Sequence, residues 1–328
     1  MAEAFFRQAI LHGVVAAAAV EALLTTWRVR SASARLKFWL VALAAPFVFL
    51  PIFFLAAPYR LDDHFAAGRA LFASVRWNAV RVAGWPADLA CFAVLASAGA
   101  VLLLRDLVPL VLGAWRADAL HDPAQDAQAA LGLDVRAKAD ELRALVTEQA
   151  RALRLRPPAV EVVAHEAPVL FVRGIRTPTV IVSAGSFARL STDETAAALA
   201  HELAHVRFRD PLLGWVLMAA RVAMFWNPAV QLVARAIAQE TEHRADAAAV
   251  RAMGPRAYQA AFRLLMSADD GGRSRGATAW ARLSARVHRH HVETRSAALA
   301  TVPDEPARLG TKLLVVAGTI AVVLFFVV

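Results

Sequence analysis

The hydrophobic and polar positions of this 328-residue chain divide it into long apolar stretches and one extended mixed segment. An uncharged stretch of about 20 residues is long enough, as a helix, to cross the ~30 Å hydrocarbon core of a bilayer. Four stretches reach or approach this length, and we expect membrane-spanning helices at about 8–27, 38–57, 89–112 and 309–328. The pattern therefore predicts a membrane domain over residues 1–115 with three helices, followed much later by a C-terminal transmembrane helix.

The segment between residues 116 and 308 has the mixed pattern of a domain that folds outside the lipid. Apolar residues at helical spacing predict a helix over 135–155, and three short stretches rich in β-branched residues predict strands. These strands are expected at 160–163, 169–172 and 179–183. The chain is therefore predicted to be a mainly α membrane protein with one α+β domain.

Two further helical segments follow the predicted strands. Ser191 and Glu194 have the spacing of a capping box, and they predict the start of a helix that continues to Arg207. The apolar segment 212–238 is interrupted by two arginines and by a central Asn-Pro pair. We therefore expect a buried or interfacial helix pair over this segment.

Composition supports a membrane protein and excludes several other classes. Apolar residues make up 59% of the chain and charged residues 19%, against roughly 45–50% apolar residues in soluble domains. The net charge is +9, but no basic stretch is interleaved with aromatic residues, so we expect no nucleic acid partner. Cys91 is the only cysteine, which excludes an intramolecular disulfide and a zinc site built on paired cysteines.

Basic residues in the short loops predict the orientation in the membrane, because they resist translocation. The loop over 28–37 carries four basic residues and no acidic one, whereas the four basic residues of the loop over 58–86 are accompanied by acidic residues. The first loop is therefore expected in the cytoplasm. This assignment predicts a multi-pass protein whose 116–308 domain faces the cytoplasm.

The sequence His201-Glu202-Leu203-Ala204-His205 lies within the helix that starts at Ser191. At ~100° per residue, two histidines four positions apart lie on one helical face, one turn apart, and can bind one metal ion through ~2.0–2.1 Å Zn–N bonds. Glu202 points about 100° away, so it can reach a water molecule beside the metal and act as general base. This spacing is typical of metal-assisted hydrolysis.

A third metal ligand is expected from another part of the chain, since no third histidine follows at the spacing of the extended zinc motifs. The best candidate is the segment 240–246, in a helix that follows the Asn-Pro pair. If Glu242 binds the metal, Asp246 lies one turn further on and can accept the outward N–H of a ligand histidine. Glu240 and His243 are the alternative ligands in this segment.

The combination of HELAH at 201–205, a short connection and a Glu-x-x-Ala-Asp segment between membrane spans resembles the integral-membrane gluzincin metallopeptidases. The segment 167–181, Asp210 and the Phe-Trp-Asn-Pro sequence at 225–228 are similar to the BlaR/MecR group of signal transducers. The HtpX and CAAX prenyl endopeptidases are the neighbouring group. Because the chain ends at Val328, we expect no extracellular drug-binding domain of the BlaR type after the last span.

The resemblance implies a zincin-like (gluzincin) fold for residues 116–308 and one Zn²⁺ per chain, with Glu202 as the catalytic base. The zinc ligands that it implies are His201, His205 and Glu242. It also implies that Arg295 stabilises the transition state, because related enzymes often have an arginine after the ligand helix. The protein is then expected in the bacterial cytoplasmic membrane.

The function predicted from these features is that of a zinc-dependent endopeptidase, which cleaves cytosolic or membrane proteins in regulated proteolysis or signalling. The expected partners are a protein or peptide substrate, the lipid bilayer and a membrane sensor. We expect an extended substrate to add as a strand along one edge of the sheet. The residues of that edge strand are Val169, Leu170, Phe171 and Val172.

Two alternative functions remain open at the level of sequence. The first is a catalytically silent signal transducer or scaffold with a zinc fold, which the presence of Glu202 opposes. The second is an HtpX-like protease for quality control of membrane proteins.

Overall fold

The computed structural model describes residues 2–71, 80–118, 135–163, 170–256, 258 and 310–327. Its packing divides the chain into two compact units that alternate along the sequence. The first unit comprises Met1–Val111, Trp215–Glu240 and Asp304–Val328, and the second comprises Leu112–Gly214 and Thr241–Pro303. Trp215–Glu240 therefore belongs with the N-terminal helices by its contacts, while the domain boundaries at 115/116 and 308/309 stay predictions.

Helices dominate the first unit. In chain order its elements begin with α1 (Ala2–Thr26), α2 (Ala32–Ala56), a 3-10 turn (Pro58–Leu61), α3 (Asp63–Gly68), the hairpin strands β1 (Arg81–Val82) and β2 (Trp85–Pro86) and α4 (Ala87–Asp118, up to Val111). The helical parts of Trp215–Glu240 and α10 (Gly310–Phe325) complete the unit. Within the described part of the chain, three stretches are long and apolar enough to cross a membrane: Phe5–Thr26, Ala32–Ala56 and Leu89–Val108. The last helix has 16 residues, or ~24 Å, which is shorter than the ~30 Å expected of a span.

Close contacts near the Asn-Pro pair at 227–228 join helices of the first unit. The buried Asn227 donates from Nδ2 to the carbonyl of Ala9 in α1, and its Oδ1 accepts the backbone N–H groups of residues 229 and 230 at the start of α9 (Pro228–Met253). A Cβ atom at Gly99 of α4 would lie 2.7 Å from the carbonyl oxygen of Phe225, so only glycine fits there without a backbone shift. The Asn-Pro pair therefore ends one helix and fixes the next against α1.

Arg60 fixes the end of α10. Its guanidinium is almost fully buried and donates to the carbonyl oxygens of Phe325 at 2.6 Å, Leu324 at 2.9 Å and Val327 at 3.0 Å. The guanidinium also lies over the ring of Phe53, 4.5 Å from its centroid. These contacts satisfy carbonyl groups that the end of a helix leaves without intrahelical partners.

The second unit contains the α+β arrangement. Its described elements are α5 (Val135–Ala152), β3 (Ala159–Val163), β4 (Leu170–Arg173), β5 (Thr179–Ser183), α6 (Ala184–Arg189) and α7 (Thr192–Phe208), with the start of α8 (Asp210–Ala223) and the second half of α9. The strand order is β3-β5-β4, with β3 parallel and β4 antiparallel to β5. All three predicted strands are present, with end points shifted by one residue or fewer. Val169 lies outside the described residues.

A buried apolar core holds α7 against the sheet. It comprises Leu142, Val146 and Ala150 from α5, Val162, Val180 and Val182 from the sheet, and Leu199 and Leu203 from α7. The predicted capping box at the start of α7 is confirmed: Ser191 Oγ accepts from the N–H of Glu194 at 3.3 Å, and the Glu194 carboxylate accepts from the N–H of Ser191 at 2.9 Å. Both features give α7 a fixed start and a fixed buried face.

Candidate metal centre

Small buried residues of α7 leave room for the second half of α9 to approach. Ala197 and Ala200 lie in one buried cluster with Ala249 and Val250, and Ala204 lies in another with Ala245. Short side chains on both helices allow this close approach. The close packing brings the carboxyl groups of α9 within reach of the histidines on α7.

His201, His205 and Glu242 form one cluster of possible metal ligands among the residues that the structure describes. The two Nε2 atoms of the histidines are 3.1 Å apart. The Glu242 carboxylate oxygens lie 3.7 Å from Nε2 of His201 and 3.6 Å from Nε2 of His205. The imidazoles are mostly buried, with 12% and 17% of their side chains exposed, whereas 39% of the Glu242 side chain is exposed to solvent.

Asp246 and Tyr258 fix the orientation of the His201 ring. The Tyr258 hydroxyl donates to the Asp246 carboxylate, and Nδ1 of His201 lies 3.0 Å from Asp246 Oδ1 and 2.9 Å from the Tyr258 oxygen. Since the carboxylate accepts only, Nδ1 carries the proton and donates. Nε2 of His201 is then a lone-pair acceptor that faces the cluster.

Asp210 does the same for His205. It accepts from Nδ1 of His205 at 2.8 Å and also pairs with the Arg244 guanidinium, which lies over the ring of Phe208. Burial lowers the pKa of His205, but the hydrogen bond to Asp210 and the carboxylates of Glu242 and Glu202 outweigh burial and raise it. The surroundings of His205 therefore favour positive charge.

This arrangement fits a zinc ion. Two neutral imidazole nitrogens at 3.1 Å present lone pairs to each other, which is unfavourable unless a cation or a proton lies between them. Zn–N bonds of ~2.0–2.1 Å in tetrahedral geometry separate two ligand nitrogens by ~3.3 Å, close to the observed distance. Three protein ligands leave a fourth position for water, as in catalytic rather than structural zinc sites.

The other candidate residues are distributed as follows. Glu202 is half-buried beside His201 on α7. Glu240, an alternative ligand, forms a 2.5 Å ion pair with Arg35 and is not part of the described cluster. His243, the other alternative, is not part of it either. Arg295 lies outside the described residues.

Two residues with clear roles in this geometry were missed by the interpretation of the sequence alone. Tyr258 is buried, and its hydroxyl joins the Asp246 and His201 pair. Arg244 was not assigned a role, although it pairs with Asp210. No local spacing could have identified Tyr258, because it lies 57 positions from His201. By contrast, His205 and Asp210 lie only five residues apart at the end of a helix, so their contact could have been inferred from the sequence.

Comparisons with known proteins agree with these observations. The model of the BlaR1 peptidase M56 family matches residues 128–299, just over half of the chain. The chain therefore belongs to the M56 peptidase family, and the expected resemblance to BlaR/HtpX-like membrane peptidases is confirmed.

A curated relative, "Protease HtpX homolog" from Salinibacter ruber (strain DSM 13855 / M31), is 36% identical over 103 residues. The match covers 28% of this chain and 37% of the relative, so the chain spans well under half the length of that protein. No solved structure matches the chain significantly.

Proposed function

We propose that this chain is a zinc-dependent endopeptidase of the bacterial cytoplasmic membrane, with its peptidase segment facing the cytoplasm. The observation that carries the proposal is the convergence of two histidine Nε2 atoms, 3.1 Å apart, with a carboxylate of a second helix. Membership of a peptidase family and three helices of membrane-spanning length agree with it.

In this proposal His201, His205 and Glu242 hold one Zn²⁺ per chain. When bound, zinc supplies a Lewis acid that acidifies water and polarises the peptide carbonyl group. Asp246 holds His201 in the tautomer that leaves Nε2 available, and Asp210 does the same for His205. A ligand set fixed in this way loses little entropy when the metal binds.

Glu202 is the proposed general base. It follows His201 directly on α7, is half-buried, and contributes to the raised pKa of its neighbour His205. Its carboxylate takes a proton from the attacking water and passes it to the nitrogen of the leaving amine. The ligand and the base are therefore held by one helix with a capped start and a packed face.

The substrate proposed here is an extended segment of a protein. Strand β4 pairs with β5 on one side and is an edge of the described sheet. Its residues 170–173 alternate between half-buried and exposed, which is the pattern of a strand with one face on the core. A substrate strand can pair with its outer edge through main-chain hydrogen bonds, which favours unfolded segments and loops. The roles of Val169 and Arg295 stay predictions.

Regulated proteolysis or signalling, together with a membrane sensor as partner, is the biological role we propose. An HtpX-like protease for quality control of membrane proteins is the alternative role, and the similarity to a protease HtpX homologue supports it.

The test compares the purified full-length wild type with Glu202→Gln in a membrane mimetic, using a labelled unfolded protein such as casein as substrate. We expect about 10²–10⁴-fold slower cleavage by the variant, with about one zinc per chain in both proteins. Glu148→Gln, which removes an exposed carboxylate from α5, should cleave as the wild type does. Equal turnover by Glu202→Gln, or a wild type without bound zinc, would contradict the proposal. A wild type that binds zinc but never cleaves favours the scaffold function.

A further inference from the structure

A second cluster of charged side chains lies entirely within the first unit. Asp106 of α4 accepts from Arg221 at 2.7 Å, and Arg235 pairs with both of its oxygens at 2.8 and 2.9 Å. Arg105 approaches the same carboxylate at 3.4 Å. We call these four residues the arginine cluster. Nothing in the proposed peptidase chemistry uses it.

The arginine cluster carries more positive than negative charge. Three guanidinium groups surround one carboxylate. The carbonyl oxygen of Leu102 also accepts hydrogen bonds from Arg221 at 3.4 Å and from Arg235 at 3.0 Å. Gln231 accepts from Nε of Arg221. Among the residues that the structure describes, no acceptor is found for Nη1 of Arg221 or Nη1 of Arg235. The cluster therefore retains donors and a net charge of about +2 for an anion outside the protein.

These guanidinium groups are partly accessible to solvent. Their side chains are 11% exposed in Arg221, 20% in Arg235 and 33% in Arg105. The pairing of Arg235 with both oxygens of Asp106 holds its planar group in one orientation. An anion that reaches the cluster thus finds donors that are already ordered.

The surroundings of the arginine cluster are apolar. Asp106 lies near the end of the candidate membrane span Leu89–Val108. Along this helix a row of apolar side chains is exposed, comprising Val94, Val101, Leu104 and Val108. At ~100° per residue, these four side chains and Arg105 fall within a sector of about 100° around the helix. The row of apolar side chains therefore lies on the face of α4 that bears Arg105, and Asp106 projects about 100° further round the helix, away from the row.

We propose that the arginine cluster binds the phosphate of an anionic phospholipid, whose acyl chains lie along the exposed apolar row of α4. Guanidinium groups bind phosphate oxygens through paired, charge-assisted hydrogen bonds. A soluble anion would use the charge of the cluster alone, whereas a phospholipid matches the charge and the adjoining apolar surface together. The proposal concerns lipid binding and is independent of the peptidase activity.

The test measures phospholipid retention by native mass spectrometry of the full-length protein in neutral detergent. Phosphatidylglycerol or phosphatidylcholine is added stepwise to the wild type, Arg105→Gln, Arg221→Gln and Arg30→Gln. The wild type should retain one phosphatidylglycerol in preference to phosphatidylcholine. Loss of Arg105 should weaken that retention about fivefold, and loss of Arg221 at least as much. Arg105→Gln alone is decisive if Arg221→Gln fails to fold, because Arg105 is more exposed and makes only a 3.4 Å contact.

Arg30→Gln is the matched control, since it removes the same charge from an exposed position in the loop between α1 and α2. It should retain phosphatidylglycerol as the wild type does. An equal loss in Arg30→Gln and Arg105→Gln would show general surface attraction and overturn the proposal. Displacement of the lipid by inorganic phosphate at equal concentration would identify a soluble-anion site instead, and an absence of preference for phosphatidylglycerol would also overturn it.

Discussion

The candidate metal centre and the arginine cluster are both small groups of ionisable side chains, but they present opposite chemistry. In the metal centre, two Nε2 atoms and a carboxylate converge, with carboxylates behind both histidines. In the arginine cluster, three guanidinium groups share one carboxylate. The first group is therefore suited to a cation and the second to an anion.

The difference also concerns how each group is built. The metal centre takes two of its three proposed ligands from one helical turn, and neighbouring carboxylates fix both rings. The arginine cluster takes its members from three helices, α4, α8 and α9, and Asp106 is the residue that joins them. We therefore expect the metal centre to tolerate the loss of a supporting residue better than the arginine cluster, which depends on one counter-ion, Asp106.

The largest effect is expected from Glu242→Gln. An amide is a poor zinc ligand, so zinc affinity should fall on the order of a thousandfold, measured by competition with a chelator. His243→Gln, the neighbouring position on the same helix, should keep affinity within about twofold. If His243→Gln or Glu240→Gln releases zinc while Glu242→Gln retains it, the proposed ligand set is wrong.

Asp106→Asn should have the next largest effect, on stability. It removes the counter-ion of Arg221 and Arg235, and we expect a loss of about 2–3 kcal/mol in the free energy of unfolding. Thermal unfolding in neutral detergent measures it, and added phosphatidylglycerol should restore part of the loss. Asp140→Asn breaks an exposed pair with Arg143 and should cost less than about 0.5 kcal/mol. If Asp106→Asn and Asp140→Asn are equally stable, Asp106 is not the stabilising counter-ion proposed here.

Asp210→Asn should weaken zinc binding about 10–100-fold without unfolding the protein. The amide no longer holds His205 through a charge-assisted hydrogen bond, so the ring is less basic and less well oriented. Asp193→Asn, at an exposed position in the first turn of α7, is the matched control and should bind zinc as the wild type does. Unchanged affinity in Asp210→Asn would mean that the contact does not support the ligand.

Tyr258→Phe should have the smallest effect. The substitution keeps the ring in its apolar contacts and removes only the hydroxyl group that joins Asp246 and His201. Zinc affinity should fall about three- to tenfold, in line with the loss of one hydrogen bond of about 1 kcal/mol. Tyr258→Leu would lose the packing as well. A larger loss of affinity in the phenylalanine variant than in Asp210→Asn would reverse the order expected here.

Short-range patterns predicted the elements that carry the site. The capping box at Ser191 and Glu194 is present as expected, and so are the three strands before it. These predictions depend on residues within a few positions of each other, where helical and extended geometry fixes which side chains meet. The start of the edge strand at Val169 stays a prediction, since that residue lies outside the described part of the chain.

Contacts between distant segments could not be predicted in this way. The position of Tyr258 beside His201 and the meeting of Asp106 with Arg221 and Arg235 depend on how separate helices pack. The sequence contained the two arginines only as interruptions of an apolar segment. Their shared carboxylate lies more than a hundred positions away, on another helix.

The sequence by itself determined the apolar helices, the helix start at Ser191 and the pair of histidines on one helical face, because each depends on local periodicity. Only the tertiary structure decided which carboxylate approaches those histidines, which side chains hold their rings, and that three arginines surround Asp106. Side chains from different helices meet only through the packing of buried faces, and the spacing along one segment does not define that packing.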